Sequence, residues 1–333
     1  MKAPGVESRR RGVVAAIGLV LAVAGGARAD EGSWRIELLP VHVEVGGHDQ
    51  HVLTERGPGG ASAVELTTDS ALGYGAVVRL DREGWDWGLD FFIHRTDQGQ
   101  GPLARSAAGP GQPVTFELPH RSFVSNGPDE VLYFQTLEDT TVELWVLDLY
   151  ARRGLGAAGP WSVLLGVRNA DFDNDYRAIA GLGDVGGTRL DASSNYSRMI
   201  GPMAGLGFAV ERGRHTIEGD LRLALVFGDI ELKRTLRDFE GPPGPFAVGP
   251  EEVPEVPVAE PIQATDSIEV PMTGLRLAWR VRLGERWSLG ARADATAWSD
   301  LAVPPGVVPD RSDQREETTL VIWVVGASVG WTF

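Results

Sequence analysis

Hydrophobic and polar positions alternate with a period of two along most of the chain after residue 30. Between residues 216 and 227, the odd positions are apolar or glycine, whereas Glu218, Asp220 and Arg222 occupy even positions. The same alternation recurs near residues 85–94 and 275–283. Strict alternation indicates a β-strand with one apolar and one polar face.

This pattern predicts ten strands, most of them 11 to 14 residues long. Strands of globular proteins usually have ~5–6 residues, whereas tilted membrane strands need ~9–11. The predicted strands cover residues 34–45, 71–81, 85–95, 141–152, 161–171, 199–211, 215–228, 270–283, 287–298 and 318–333.

The predicted connections alternate between short and long. The short ones cover residues 82–84, 153–160, 212–214 and 284–286, and the long ones cover residues 46–70, 96–140, 172–198, 229–269 and 299–317. Short periplasmic turns and long extracellular loops are typical of outer-membrane barrels. The sequence therefore predicts an all-β fold, an antiparallel transmembrane β-barrel of ten strands. A further hairpin from residues 114–118 and 131–137 would make twelve strands, which is the alternative.

The N-terminus has the order of a secretory signal peptide. Lys2 and Arg9–Arg11 precede an apolar stretch at residues 12–25, and the small-x-small site Ala27-Arg28-Ala29 follows. We therefore expect a signal peptide at residues 1–29, a barrel domain at residues 30–333 and export to the cell outer membrane of a Gram-negative organism.

Aromatic residues mark one predicted end of the barrel. Four of the five strands that rise from the periplasmic side begin with tryptophan, and the last strand returns to that side. Rings with an apolar body and a polar edge concentrate at membrane interfaces. The predicted interface residues are Trp34, Trp85, Trp161, Trp287 and Trp331. Phe333 resembles the C-terminal signal that the barrel-assembly machinery reads in outer-membrane proteins.

Composition excludes several other classes of protein. The formal net charge of −15 argues against nucleic acid as a partner. The absence of cysteine removes disulfide scaffolds, thiol catalysis and cysteine-ligated zinc. After the first thirty residues, no apolar run approaches the ~18 residues that a spanning helix needs.

The polar faces of the predicted strands place charges of both signs inside the barrel. These charges either pair across the lumen and plug it, or line a narrow wet pore, and the sequence leaves both interpretations open. The candidate pore-lining residues are Arg79, Asp86, Asp90, Asp148, Arg168, Glu218, Asp220, Arg222, Arg276, Arg280, Arg282, Arg292 and Asp294.

Motifs for catalysis and for metal binding are weak. His120 and Ser122 faintly resemble the His-x-Ser element of outer-membrane lipid hydrolases, but the asparagine expected after the serine is missing. Asp171, Asp173 and Asp175 have the spacing of the first ligands of a calcium loop, yet the later ligand positions do not fit. We therefore expect no catalytic residue, no metal and no cofactor.

Three segments resemble the Legionella-type major outer-membrane protein family of pore-forming barrels. Residues 142–150 form a strand with a central aspartate, residues 161–168 end in Gly-x-Arg, and residues 201–207 form a strand that Gly-Pro begins. The resemblance covers about residues 141–228 and implies a porin-like role. It transfers no catalytic residues, and the absence of cysteine departs from the disulfide-linked members.

The sequence therefore predicts a porin-like channel for passive diffusion of small solutes. A non-transporting barrel with a plugged lumen, structural or surface-binding, is the alternative, and a lipid-hydrolysing barrel enzyme is a third class. The expected partners are outer-membrane lipid and lipopolysaccharide, the barrel-assembly machinery and small solutes, and a homo-oligomer is compatible with the pattern.

Overall fold

In a computed structural model, the described part of the chain is all-β and has fifteen strands. The strands are β1 (Ser33–Gly46), β2 (Gln50–Gly57), β3 (Gly60–Leu66), β4 (Ala71–Arg82), β5 (Trp85–Gln100), β6 (Val114–Glu117), β7 (Ser122–Ser125), β8 (Phe134–Gly154), β9 (Trp161–Leu182), β10 (Gly186–Arg212), β11 (His215–Phe239), β12 (Glu255–Pro257), β13 (Ile262–Arg282), β14 (Trp287–Ala302) and β15 (Glu317–Thr332). The structure describes residues 33–46, 50–57, 60–66, 71–82, 84–100, 114–117, 122–125, 134–156, 159–182, 186–239, 255–257, 261–302 and 317–333. The predicted signal peptide, residues 1–29, lies outside them.

Ten of the strands close into an antiparallel barrel. Their order around the wall is β10-β9-β8-β5-β4-β1-β15-β14-β13-β11, and β11 pairs again with β10. The first and last strands therefore meet, with Arg35 opposite Thr332 and Val45 opposite Ile322. Where all ten strands overlap, closure pairs each strand on both sides, so that this ring has no free edge.

The prediction of ten barrel strands is confirmed, and the twelve-stranded alternative is wrong. Residues near the predicted extra hairpin do form β6 and β7, but β6 pairs with β7 and with β2, in a separate four-stranded sheet of order β3-β2-β6-β7. Residues 134–137, which the alternative placed in that hairpin, begin β8 instead.

The predicted long connections at residues 172–198 and 229–269 are wrong for most of their length. β9 continues to Leu182 and β10 begins at Gly186, while β11 continues to Phe239 and β13 begins at Ile262. Together with β8, these strands have 21 to 27 residues and form one tall side of the barrel. The strands opposite, β1, β4, β14 and β15, have 12 to 16 residues.

The alternation of polar and apolar residues inverts partway up the tall side. In the lower part of β11, the apolar side chains point outward and the charges point inward. Further up, Asp229 and Lys233 are on the outer face, while Val226, Ile230 and Leu232 are buried inside. A prediction that places apolar residues on the outer face therefore ends the strands of the tall side at this inversion.

Below the inversion, an apolar band surrounds the barrel. Along β11 it runs from Ile217 to Phe227, and their side chains remain 46% and 43% exposed. Ten residue steps of ~3.3 Å on a strand tilted by ~40° give a height of about 25 Å. That height matches the hydrocarbon layer of an outer membrane.

Glycines allow close contact between neighbouring strands, and Gly166 is the clearest case. It lies opposite Tyr150 in the β8–β9 ladder, where an added Cβ would be 2.7 Å from the Tyr150 Cβ and 2.9 Å from its Cα. Because the backbone of β8 is fixed by its own pairs, we expect Gly166→Val to destabilise the barrel by about 1–3 kcal/mol. Urea unfolding of the refolded protein measures this.

Gly274 offers a control for the added Cβ alone. A Cβ at Gly274 would meet nothing closer than the Thr296 hydroxyl at 3.4 Å. Gly274→Ala should therefore leave the urea midpoint within experimental error. Equal midpoints for the Gly166→Val variant and the wild type would contradict the proposed crowding at Tyr150.

Candidate functional site

The lower half of the barrel interior is filled with ion pairs centred on Arg222. Its Nη1 donates to Asp90 Oδ2 at 2.9 Å and to Asp148 Oδ2 at 2.8 Å, and its Nη2 donates to Asp220 Oδ2 at 2.9 Å. Arg222 is 3% exposed, so these charges depend on one another rather than on water. Charge-assisted bonds of this geometry are the strongest hydrogen bonds in proteins.

Four further arginines join this group, each from a different strand. Arg168 holds Asp148 with two bonds, from Nε at 2.7 Å and from Nη2 at 2.8 Å. The other three arginines make four pairs, which are Arg152 with Asp220 at 2.5 Å, Arg276 with Asp90, Arg276 with Asp294, and Arg292 with Asp294 at 2.5 Å. We call these nine residues the Arg222 group.

A second group of six charges lies nearer the short-turn end. Glu218 is at its centre, with Arg280 Nη2 at 3.1 Å and Arg79 Nη2 at 3.7 Å. The remaining pairs are Arg79 with Asp86 at 2.8 Å, Arg280 with Glu37 at 3.0 Å, and Arg35 with Glu37 at 2.9 Å. We call these six residues the Glu218 group.

Tyr150 lies between the two groups and contacts both. Its hydroxyl donates to Asp90 Oδ1 at 3.2 Å, while the guanidinium carbons of Arg222 and Arg79 lie 4.7 and 5.5 Å from its ring centre. Arginine over an aromatic face is attracted by the ring quadrupole. Tyr150 therefore helps to hold both arginines in place.

The upper half of the interior is mainly apolar, with a minority of buried polar side chains: His94, Thr96, Asn174 and Ser194. Around Trp298, which is fully buried, Phe172 and Trp298 have ring centres 6.2 Å apart, and Phe172 and Tyr196 have ring centres 5.9 Å apart. Leu144 and Met272 are buried in the same cluster. We call this cluster the apolar layer. Its side chains are buried against one another, as in the core of a soluble domain.

A cavity of about 60 Å³ lies where the two layers meet. Its charged lining comes from the Arg222 group, and its apolar lining includes Leu144, Trp298 and Val324. Arg222 Nε and Trp298 Nε1 are buried and have no hydrogen-bond partner among the described residues. Buried donors normally have an acceptor, so each of these requires an explanation.

Twelve of the thirteen charged residues that the sequence predicted for the lumen belong to these two groups. The exception is Arg282, which is exposed at the short-turn end and donates to the Gly213 carbonyl at 3.1 Å. The sequence did not identify Arg35, Glu37, Tyr150 and Arg152. Each lies an even number of residues from an inward-facing residue of its own strand. This alternation is the sequence signal that could have identified them.

The predicted interface aromatics lie at one end of the barrel. Trp34, Trp85, Trp161 and Trp287 are near the starts of strands that run the same way, and Trp331 is near the end of β15. The ring centres of Trp287 and Trp331 are 4.3 Å apart. Phe333 and Trp34 exchange two backbone hydrogen bonds of 3.0 Å. Their interfacial role and the assembly role of Phe333 stay predictions.

Asp171, Asp173 and Asp175 lie within strand β9 rather than in a loop. Asp171 accepts hydrogen bonds from Trp145 Nε1 at 3.0 Å and from the Arg198 backbone N–H at 2.8 Å. Among the described residues, no group of three His, Asp or Glu side chains is placed to hold a metal ion. His120 lies outside the described residues, and Ser122 is the first residue of β7.

The outer face of the tall side carries exposed charges above the apolar band. Arg177 Nε lies 2.7 Å from Asp191, and Glu231 accepts hydrogen bonds from Lys233 and Gln263, both at 2.9 Å. The bond from Lys233 lowers the pKa of the Glu231 carboxyl. This face is therefore ionised and hydrated.

No protein-family model and no curated protein matches the chain. Three solved structures are distantly similar in shape. They are the outer membrane protease OmpT of Escherichia coli (9% identity, 91% of this chain, 96% of that chain, TM-score 0.42), the toluene transporter TbuX of Ralstonia pickettii (10%, 91%, 89%, 0.30) and the outer membrane protein OprG of Pseudomonas aeruginosa (11%, 91%, 96%, 0.26). The resemblance to the Legionella-type family stays a prediction.

The surface of the chain itself defines its environment. A closed antiparallel ring of strands, surrounded by outward apolar side chains and without a free backbone edge where all ten strands overlap, satisfies what a bilayer requires. The chain is an outer-membrane β-barrel. No described helix has the length and apolar character to cross a membrane.

Proposed function

We propose that this outer-membrane barrel is a non-transporting protein that presents its tall side at the cell surface. The observation that carries the proposal is the filled interior. The charged layer and the apolar layer lie one above the other, and every solute path along the axis would cross both.

The apolar layer is the stronger barrier to a hydrated solute. Leu144, Met272 and Trp298 come from β8, β13 and β14, and each is at most 2% exposed. Met272 and Trp298 lie opposite each other on the adjacent strands β13 and β14, and Leu144 joins their cluster from β8, four strands away around the ring. An ion that entered this layer would lose its hydration shell and gain few partners in return, which is very costly.

The tall side supports a role at the surface. Above the apolar band, its outer face is polar and its inner face is packed, so this part has the amphipathic construction of a soluble β-structure. A stable, hydrated wall can bind partners or stabilise the outer leaflet without moving solutes. Lipopolysaccharide as its neighbour, the barrel-assembly machinery during biogenesis, and a homo-oligomer stay predictions.

The porin-like channel is the competing function, and single-channel recording separates the two. The refolded mature chain, residues 30–333, should give no stable steps in a planar bilayer containing 1 M KCl. A general porin in the same bilayers serves as the positive control, and heat-modifiable migration shows that the barrel is folded. Stable conductance steps from folded protein would overturn the closed-barrel proposal and favour the porin-like function, with small solutes as its substrates.

A further inference from the structure

The two charged groups differ in their charge balance. The Glu218 group contains three arginines, Arg35, Arg79 and Arg280, and three acids, Glu37, Asp86 and Glu218. The Arg222 group contains five arginines, Arg152, Arg168, Arg222, Arg276 and Arg292, but only four aspartates, Asp90, Asp148, Asp220 and Asp294. The Arg222 group therefore carries one unbalanced positive charge.

This unbalanced charge is costly where it lies. The group is enclosed by the barrel wall, at the height of the apolar band, and the apolar layer covers it. An uncompensated ion in such a place loses several kcal/mol of hydration free energy. Arginine does not escape the cost by losing a proton, because its guanidinium stays charged in proteins.

The cavity is lined by arginines of the Arg222 group, which carries the surplus charge. Arg168, Arg222, Arg276 and Arg292 all line it, facing Asp90, Asp148 and Asp294. Of the buried donors that have no hydrogen-bond partner among the described residues, Arg222 Nε and Trp298 Nε1 belong to lining residues of this cavity. The cavity thus combines an excess of positive charge, unsatisfied N–H donors and empty space.

We propose that this cavity binds one small inorganic anion of the size of chloride. An anion accepts hydrogen bonds from arginine and indole donors, and it also neutralises the surplus positive charge. A water molecule would accept these hydrogen bonds but would leave the charge uncompensated. A volume of about 60 Å³ exceeds the ~10–15 Å³ that one water molecule needs, but it excludes a large organic anion. The proposal goes beyond the closed-barrel function, and its test does not involve conductance.

Bromide is the probe, because it resembles chloride and scatters anomalously. The mature protein is refolded in sodium bromide and in sodium gluconate of equal ionic strength, since gluconate is too large for the cavity. We expect an anomalous peak inside the cavity in crystals grown with bromide. We also expect the unfolding temperature to rise with bromide concentration in a saturable way, by about 2–4 °C relative to gluconate.

Two arginine variants test whether the surplus charge is the cause. Arg292→Gln balances the Arg222 group, so it should abolish the bromide-dependent rise without lowering the unfolding temperature in gluconate. Arg280→Gln is the matched control from the balanced Glu218 group. It should lower the unfolding temperature in both salts while the bromide-dependent rise remains.

Trp298→Phe tests the indole donor separately from charge. The ring still fills the apolar layer, but the N–H is removed, so half-saturation should require several-fold more bromide. Equal unfolding temperatures in bromide and gluconate, with no anomalous peak in the cavity, would mean that water alone occupies it and would overturn the proposal. A full bromide effect in Arg292→Gln would overturn it too.

Discussion

Replacing Asp90 with alanine should destabilise the barrel by about 3–5 kcal/mol, the usual cost of removing one partner from a buried ion pair. Asp90 accepts from Arg222, Arg276 and Tyr150, and it is 5% exposed. Its removal leaves Tyr150 without an acceptor and raises the surplus charge of the Arg222 group to two. The measurement is urea unfolding in lipid vesicles, followed by heat-modifiable migration.

Asp191→Ala is the matched control for Asp90→Ala. Asp191 pairs with Arg177 on the exposed outer face of the tall side, where both side chains are partly hydrated. Exposed ion pairs contribute ~0–1 kcal/mol, so this variant should unfold close to the wild type. Similar losses for the two variants would show that the interior charges do not act as a buried network.

Trp298→Ala should cost about 3–5 kcal/mol, because it removes the largest fully buried side chain of the apolar layer. The space it leaves adjoins the cavity below, and the surrounding residues are held on separate strands, which limits their collapse into it. The same urea titration measures the loss, with chemical crosslinking to verify that the variant does not aggregate.

Trp323 provides a control of the same residue type. It lies on the outer face of β15 and is 53% exposed within the apolar band. Its ring contacts lipid, so Trp323→Ala leaves a space that acyl chains can fill. We expect a loss well below that of Trp298→Ala, and a reversal of this order would place the packed layer outside the barrel rather than inside it.

Much of the barrel could be predicted because its lower half follows a simple rule. Apolar residues such as Leu221 and Leu277 face lipid, and charges such as Asp220 and Arg276 face inward, so period-two alternation identified all ten strands. The upper half reverses the rule: Ile230 faces inward and Asp229 faces outward. Alternation alone does not show which of the two faces of a strand points inward. A prediction that keeps apolar residues on the outer face therefore ends these strands too early.

The closed interior could not be predicted from the sequence for a related reason. Parity shows which residues face the lumen, but it does not show whether Leu144 and Trp298, on strands far apart in sequence, reach each other. That depends on barrel diameter and on relative strand stagger, which arise from pairing around the whole ring. The partners of Arg222 are likewise set by stagger.

The seam between the first and last strands has a kinetic consequence. Arg35 pairs with Thr332, about 300 residues later in the chain, and the last pair of bonds involves Phe333 itself. Contacts so distant in sequence are slow to form, and they need the C-terminal strand to have been synthesised. Until then, the exported chain exposes two unpaired edges, which favour aggregation. Its biogenesis should therefore depend on a holding chaperone during transit.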